Sequence, residues 1–206
     1  MKKNIFIAFC LLSLCLPIAA RRISEAELPR GLDWAGEVKA ALRYNDDTGE
    51  NIVFTTETDN YQSPGKMEGV MDAELFAYRY QRRSGRWSRV WQIFDFVHNE
   101  EFDLKVAFIP GTSPQVTDLD RDGISEVWVM YELAASSDVR PQPMKIIMYE
   151  GTTKYAMRGE TSVDTGSRYE GGKYTFDGNF KNGPASFRRF AQKLWNDNIE
   201  GFGRNW

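Results

Sequence analysis

Acidic residues alternate with other residues over a short part of the chain, at positions Asp118, Asp120, Asp122 and Glu126. Calcium is a hard cation that binds about six to eight oxygen atoms, and carboxylates are its usual protein ligands. In a tight loop, residues two positions apart can turn their carboxylates towards one centre. Gly123 permits the sharp bend, and the backbone carbonyl of Ile124 is a further candidate ligand. The pattern predicts one structural calcium site, formed by Asp118, Asp120, Asp122, Ile124 and Glu126.

The residues that follow this loop exclude an EF-hand. An EF-hand requires its closing glutamate at loop position 12, and that position is occupied here by Val129. The segment from Val127 to Tyr131 is wholly apolar or aromatic, which is typical of a β-strand that is covered on both faces. We therefore expect a short carboxylate loop that leads into a buried strand.

Two segments resemble known families. The pattern Asp118-x-Asp120-x-Asp122-Gly123-x-x-Glu126, followed by Val127-Trp128-Val129, resembles the calcium loop of FG-GAP and VCBS-type repeats. Those repeats form propeller blades in integrin α-subunits and in many secreted bacterial proteins, and they usually close the loop with Asp where this chain has Glu126. Separately, Met144-Lys145-Ile146-Ile147-Met148-Tyr149-Glu150-Gly151 with Lys154-Tyr155-Ala156-Met157-Arg158-Gly159 is similar to a poorly characterised family of exported bacterial proteins. That family is labelled as surface polysaccharide biosynthesis, so this resemblance implies a role at the cell envelope.

The N-terminus has the pattern of a secretory signal peptide over residues 1–20. Lys2 and Lys3 precede an apolar stretch over residues 5–16, and Pro17-Ile18-Ala19-Ala20 supplies the small residues of a cleavage site. The apolar stretch is shorter than the roughly 20 residues that span a membrane, although an uncleaved anchor stays open. Cleavage is favoured over lipid attachment at Cys15, because Leu14 is not the small residue that precedes a lipidated cysteine. We expect export to the periplasm, the cell surface or the medium, with no integral membrane span after cleavage.

Removal of residues 1–20 changes the composition of the chain. Both cysteines leave, which excludes disulfides and thiolate metal sites. The loss of two lysines lowers the basic residues from 26 to 24 against 29 acidic ones, so the net charge moves from −3 to −5. An acidic protein of this kind is not expected to bind nucleic acid, nor to adhere to anionic lipid. Residues 21–35 read as a polar leader, and residues 36–206 suit a single domain.

The strand pattern predicts a mainly β fold. A strand, an acidic turn, an apolar strand, a loop, a strand, a tight turn and a strand occur in this order over residues 36–97 and again over residues 102–163. We expect two similar antiparallel β-meander units, packed as a sandwich or as an incomplete propeller. Two unrelated meanders remain the alternative. Asn45-Asp46-Asp47 falls where the carboxylate loop falls in the second unit, and it lacks the alternation that a metal needs.

A helix is predicted at the C-terminus, over about residues 184–197. Pro184 suits its start, and an apolar stripe recurs at helical spacing, formed by Phe187, Phe190, Ala191, Leu194 and Trp195. Such a stripe most simply covers a face of a sheet. A helix that binds a partner or lies on a membrane surface is the alternative.

The sequence offers little for catalysis. His98 is the only histidine and has no motif of a nucleophilic triad around it, and zinc would need several His or Cys ligands. Trp87, Trp91 and Tyr78 can offer ring faces to a sugar, but burial in the core is favoured. We expect a non-enzymatic binding or scaffold protein whose partner is an unknown protein or glycan. The alternatives are an envelope enzyme that acts on glycans through paired carboxylates and a carbohydrate-binding module.

Overall fold

The computed structural model describes residues 19–101, 104–135 and 140–202, with the side chain of Asn99 excepted. Nearly all of the predicted signal peptide, including Cys10 and Cys15, lies outside these residues. The mainly β prediction is confirmed, because the structure consists of two antiparallel sheets and a C-terminal helix. Among the described residues, no helix combines the length and the apolar character that crossing a membrane requires.

The first sheet contains the first six strands of the chain. They are β1 (Arg21–Ile23), β2 (Glu37–Asp46), β3 (Gly49–Glu57), β4 (Tyr61–Gln62), β5 (Met71–Arg83) and β6 (Arg86–Glu100). The strand order is β1-β2-β3-β5, and β4 and β6 also pair with β5. Ser84 and Gly85 close the β5–β6 hairpin with positive φ angles of 49° and 78°, as a two-residue turn between twisted antiparallel strands requires.

The second sheet is built from later strands. In chain order the strands are β7 (Leu104–Phe108), β8 (Gln115–Thr117), β9 (Glu126–Ala135), β10 (Pro143–Glu150), β11 (Thr153–Glu160), β12 (Ser162–Asp164), β13 (Tyr169–Gly171) and β14 (Tyr174–Phe176). The sheet has the order β14-β11-β10-β9-β7, with β8 also paired to β9, while β12 and β13 form a separate ribbon. Four-stranded meanders therefore form the centre of both sheets, β2-β3-β5-β6 in the first and β7-β9-β10-β11 in the second.

The two predicted units pack face to face as a sandwich, and not as an incomplete propeller. Their shared core contains buried apolar side chains from both sheets, such as Val53 and Ile93 from the first and Val129 and Ile147 from the second. Successive side chains of a strand point to opposite faces. Both faces of β9 are covered, which is why the apolar run that it contains is continuous.

The outer face of the second sheet is covered by two helices. These are α1 (Gly178–Asn182) and α2 (Ala185–Asp197), and the second lies where the sequence predicts it. Phe187 and Trp195 of α2 are fully buried in one cluster with Trp128 and Met130 of β9. The apolar stripe of the helix thus covers a sheet face, as expected.

Residues 21–35, expected to be a leader, are part of the fold, and this corrects the sequence-based interpretation. The first three of them form β1, which pairs with β2. The ring of Trp34 packs edge-on against Phe54 at 5.7 Å, and the Tyr80 hydroxyl donates to the Asp33 carbonyl at 2.6 Å. The apolar residues of this segment follow no regular period, so its packing on the outer face of the first sheet left no pattern to detect.

One acidic side chain of β9 is buried under the C-terminal end of the described chain. Glu132 is 3% exposed, and its Oε2 accepts a hydrogen bond from the Phe202 amide at 2.9 Å. Burial raises the pKa of Glu132 to about 6, although the Phe202 hydrogen bond and the charge of Lys105 act in the opposite direction. The folded state therefore holds this proton at pH values where the unfolded chain has lost it.

Replacement of Glu132 by Gln should remove one component of the pH dependence of stability. The contribution of Glu132 is present below the unfolded pKa of 4.5 and is lost as the pH rises through about 6. This loss amounts to about 2 kcal/mol of the unfolding free energy. The unfolding free energy of Glu132→Gln relative to that of the wild type, measured by urea unfolding across this pH range, should increase by about that amount as the pH rises. A difference between the two proteins that does not change with pH would contradict this assignment.

Candidate metal centre

The carboxylate loop connects β8 to β9, two strands that pair with each other. Thr117, the last residue of β8, is the direct cross-strand partner of Glu126, the first residue of β9. Arg121 and Gly123 adopt positive φ angles of 64° and 85°, which fold the connection back on itself. The loop is therefore closed at its base by β-sheet hydrogen bonding, and its acidic side chains are kept within a small volume.

Two groups of carboxylates converge at this loop. Asp118, Asp120 and Glu126 each offer an oxygen atom, and these atoms all lie within 4.8 Å of one another. Asp120, Asp122 and Glu150 form a second group that meets the same limit. The structure thus brings together three of the predicted side chains, places Asp122 in an adjacent group that shares Asp120, and adds Glu150.

Glu150 was not identified from the sequence. It ends β10 and lies directly opposite Glu126 in the pairing of β9 with β10. The alternation of side chains along the two strands puts each glutamate on the same face as an apolar residue two positions away. Glu126 shares its face with Trp128, and Glu150 shares its face with Met148. These two apolar residues are also cross-strand partners. A single sequence does not specify the register of two strands, so this pairing could not be derived from it.

Glu126 is the most buried acid of the site, with no exposed surface. Its Oε2 accepts a hydrogen bond from the Thr117 hydroxyl at 2.5 Å, and both of its oxygens accept from the Leu119 amide at 3.0 Å. Burial, with a smaller contribution from the charges of Asp120 and Asp118, raises the pKa of Glu126 to about 7, although the two hydrogen bonds act in the opposite direction. The carboxylate is thus oriented by the protein while its charge is disfavoured.

The other acids of the loop carry the same kind of electrostatic cost. Burial and then the neighbouring charge of Asp122 raise the pKa of Asp120. Burial followed by the charges of Asp120 and Asp122 raises the pKa of Glu150. A divalent cation would remove this repulsion, and a donor set made only of oxygen atoms suits calcium or magnesium. The residues present therefore fit a divalent cation, which Asp118, Asp120 and Glu126 would hold with Asp122 and Glu150 beside them.

Ile124 stabilises the shape of the loop through its amide. The Ile124 N–H donates to Oδ1 of Asp122 at 2.8 Å, a local turn that fixes the bend after Gly123. The expected role of the Ile124 carbonyl as a ligand stays a prediction.

The loop is also hydrogen-bonded to the opposite sheet. The Asp47 amide, in the β2–β3 turn, donates to the Gly123 carbonyl at 2.8 Å, and the Ser125 amide donates to Asp46 Oδ2 at 3.1 Å. A Cβ on Gly123 would lie 2.3 Å from Asp47 Oδ2, so the two turns approach as closely as a glycine allows. The acidic turn Asn45-Asp46-Asp47, which has the same position in the first unit as the carboxylate loop has in the second, is therefore in direct contact with that loop.

A buried arginine extends this contact to a third turn. The side chain of Arg79 in β5 is 1% exposed, and its Nη2 lies 3.8 Å from Asp46 Oδ2. Nη2 also donates to Asn51 Oδ1 at 3.0 Å, and Nη1 donates to the Gly151 carbonyl, in the β10–β11 turn, at 2.9 Å. One guanidinium therefore joins both sheets beside the loop. In the sequence, the one indication of this role is that Arg79 is a basic residue on the apolar face of β5.

Neither the aromatic side chains Tyr78 and Trp91 nor the groove of this structure forms the kind of glycan site that the sequence suggests. Tyr78 and Trp91 are 2% and 7% exposed, and the Trp91 ring stacks on Tyr149 at 4.6 Å, so both belong to the interior. A groove of about 400 Å³ is lined by Pro141, Pro143, Arg158, Gly159, Glu160, Lys173, Tyr174 and Thr175. Glu160 is the one acid of this groove, so it does not contain the two carboxylates of a glycosidase.

Replacement of Arg79 by Met should destabilise the protein strongly. The variant keeps a long side chain but leaves the buried Asp46 carboxylate without its cation, a change that typically costs about 3–5 kcal/mol. Urea unfolding measures the loss, and Arg158→Met, at an exposed position of β11, provides the matched control with a change of roughly 0.5 kcal/mol or less. A loss below about 1 kcal/mol for Arg79→Met would show that the network does not hold the sheets together.

Comparison with known proteins finds no protein-family model, no curated protein and no solved structure that matches this chain. The likeness of the carboxylate loop to FG-GAP and VCBS-type repeats, and that of the segment over residues 144–159 to an exported bacterial family, therefore stay predictions from the sequence.

Proposed function

We propose that this chain is an exported, calcium-stabilised binding or scaffold protein of the bacterial cell envelope, without catalytic activity. In this proposal the calcium ion is structural. Asp118, Asp120 and Glu126 hold it, and its charge offsets the repulsion among the acids of the loop. The export signal predicted over residues 1–20 would bring the protein to a compartment where calcium reaches the roughly 10⁻⁴–10⁻³ M at which extracellular modules bind it.

The observation that carries the proposal is the position of the acids at the junction of the two sheets. The loop that contains them is bonded to the β2–β3 turn of the opposite sheet through the Gly123 carbonyl and the Ser125 amide. An ion that orders the loop would therefore order both partners of these bonds. Calcium at this place would stabilise the sandwich as a whole.

Calcium should raise the thermal stability of the chain from residue 21 onwards. A dissociation constant of about 10⁻⁴ M and a calcium concentration of about 1 mM give roughly 1.4 kcal/mol of stabilisation. For a domain of this size, that corresponds to a rise of about 3–5 °C in the melting midpoint. Melting is followed by circular dichroism in calcium, in magnesium and in a chelator.

Two variants make this experiment specific. Asp120→Asn removes the carboxylate that both acidic groups share and should abolish the calcium-dependent rise. Asp59→Asn, at an exposed position in the loop after β3, removes the same charge and should retain it. An unchanged wild-type midpoint at millimolar calcium would refute the proposed ion site. Equal responses of the two variants would show that calcium acts on overall charge and not on the loop.

A further inference from the structure

Arginines are concentrated at one end of the first sheet, although the chain as a whole is acidic. The β5–β6 hairpin carries four of them within eight residues, Arg82, Arg83, Arg86 and Arg89, and all four are exposed. Arg43 of β2 lies beside them, with its guanidinium carbon 6.0 Å from the centre of the Trp87 ring. These five residues are called the arginine cluster below.

Strand pairing places three members of the cluster on one face of the sheet. Arg43 pairs with Ile52, Ile52 with Tyr80 and Tyr80 with Arg89, so Arg43 and Arg89 share one row across the strands. Arg82 lies in the next row on the same face, two residues along β5. This face is the outer one, because Ile52 and Tyr80 belong to the cluster of apolar residues on the side away from the second sheet.

The positive charge of the cluster is only partly balanced. Glu50 pairs with Arg82 at 3.2 Å and with Arg43 at 3.7 Å, and Asp33 is exposed near the same face. Within the part of the chain that the structure describes, the side chains of Arg83, Arg86 and Arg89 make no hydrogen bond or ion pair. Of these three, Arg89 lies on the outer face, whereas Arg83 and Arg86 pair with each other beside the turn and alternate to the opposite face of the hairpin. The outer face therefore offers Arg89 without a partner, and Arg43 and Arg82 with one shared partner, Glu50.

The same outer face of β6 continues into exposed aromatic residues. Phe94 and Phe96 are 47% and 45% exposed. Phe94 stacks on Phe76 at 4.9 Å and on Phe96 at 5.3 Å, and Phe96 stacks on His98 at 4.1 Å. The ring faces are thus occupied by one another, and the apolar ring edges point outward.

This arrangement distinguishes between two kinds of anionic partner. A sugar binds to the open face of an aromatic ring, and the stacked faces of Phe94 and Phe96 are not open. A lipid surface has anionic phosphates next to an apolar layer, and proteins that bind it combine basic residues with aromatic side chains. Guanidinium groups also bind phosphate in a bidentate manner. The observed combination of arginines and apolar ring edges on one face of the sheet fits the lipid surface.

We propose that the outer face of β6, together with Arg43, Arg82 and Arg89, docks on an anionic phospholipid membrane. The guanidinium groups bind lipid phosphates, and Phe94 and Phe96 enter the boundary between head groups and acyl chains. The negative net charge of the chain argues against adhesion to such a surface, but attraction depends on the charge of the face that meets the membrane. The site is independent of calcium at the carboxylate loop.

The experiment is co-sedimentation of the chain from residue 21 with vesicles. Every strand and helix that the structure describes begins at or after this residue, and the apolar N-terminal stretch would itself bind lipid. Vesicles of phosphatidylglycerol and phosphatidylcholine are compared with vesicles of phosphatidylcholine alone, at low and physiological salt, in a chelator. The protein should bind the anionic vesicles, more weakly as salt rises, and should not bind neutral ones. Absence of binding to anionic vesicles at low salt overturns the proposal.

A triple variant, Arg43→Gln, Arg82→Gln and Arg89→Gln, removes the arginines of the outer face and tests this surface. Each arginine near an anionic membrane contributes roughly fivefold in affinity, so the variant should bind about 100-fold more weakly. The matched control is Lys173→Gln, Lys181→Gln and Arg189→Gln, which removes the same charge from exposed positions on the helix side and should stay within about twofold of the wild type. Melting curves verify that both variants fold.

Two further outcomes decide against the proposal. Equal weakening of the triple variant and its control would show that net charge alone governs binding. Binding to a soluble acidic polysaccharide, with none to vesicles, would assign the arginine cluster to a different partner. Phe96→Thr adds an independent test, because it leaves the charge unchanged and should weaken vesicle binding at physiological salt by about tenfold.

Discussion

Arg79 occupies the position on which the sandwich depends most. Its guanidinium is buried between the sheets, and it contacts Asp46 and Asn51 on one side and the Gly151 carbonyl on the other. Burial of a charge is unfavourable unless partners satisfy it. The β2–β3 and β10–β11 turns are therefore held at fixed places by the need to surround this cation. The carboxylate loop is bonded to the first of these turns, so its position is fixed by the same constraint.

The carboxylate loop places several negative charges, which repel one another, close to this buried cation. Glu126 is fully buried, and burial raises its pKa to about 7. It stays oriented because Thr117 and Leu119 donate hydrogen bonds to it. The fold thus pre-positions acids that repel one another, and a divalent cation would turn this repulsion into attraction. The two charged centres share Asp46, which meets Arg79 on one side and the Ser125 amide on the other. That carboxylate therefore joins the loop to the sheet junction.

Much of the fold could be predicted because it follows from local periodicity. The alternation of β2 and β5, the continuous apolar run of β9 and the helical stripe of α2 each have one simple explanation, and the structure confirms two antiparallel sheets and the C-terminal helix. Three features could not be predicted. The segment from Arg21 packs without a regular period, Glu150 joins the acids through strand register, and Arg79 acts through contacts between distant turns. All three depend on which segments meet in three dimensions, and a single sequence does not contain that information directly.

The most direct test of the account is amide hydrogen exchange of the chain from residue 21, measured by NMR with and without calcium. The decisive amide is that of Asp47, which lies in the β2–β3 turn of the first sheet and donates to the Gly123 carbonyl in the loop of the second. If calcium at the loop stabilises the sheet junction, it should slow exchange at Asp47 as well as at Leu119 and Ile124 within the loop, by about tenfold for the roughly 1.4 kcal/mol expected. Slowing at the loop amides with none at Asp47 would contradict the coupling of the ion to the junction.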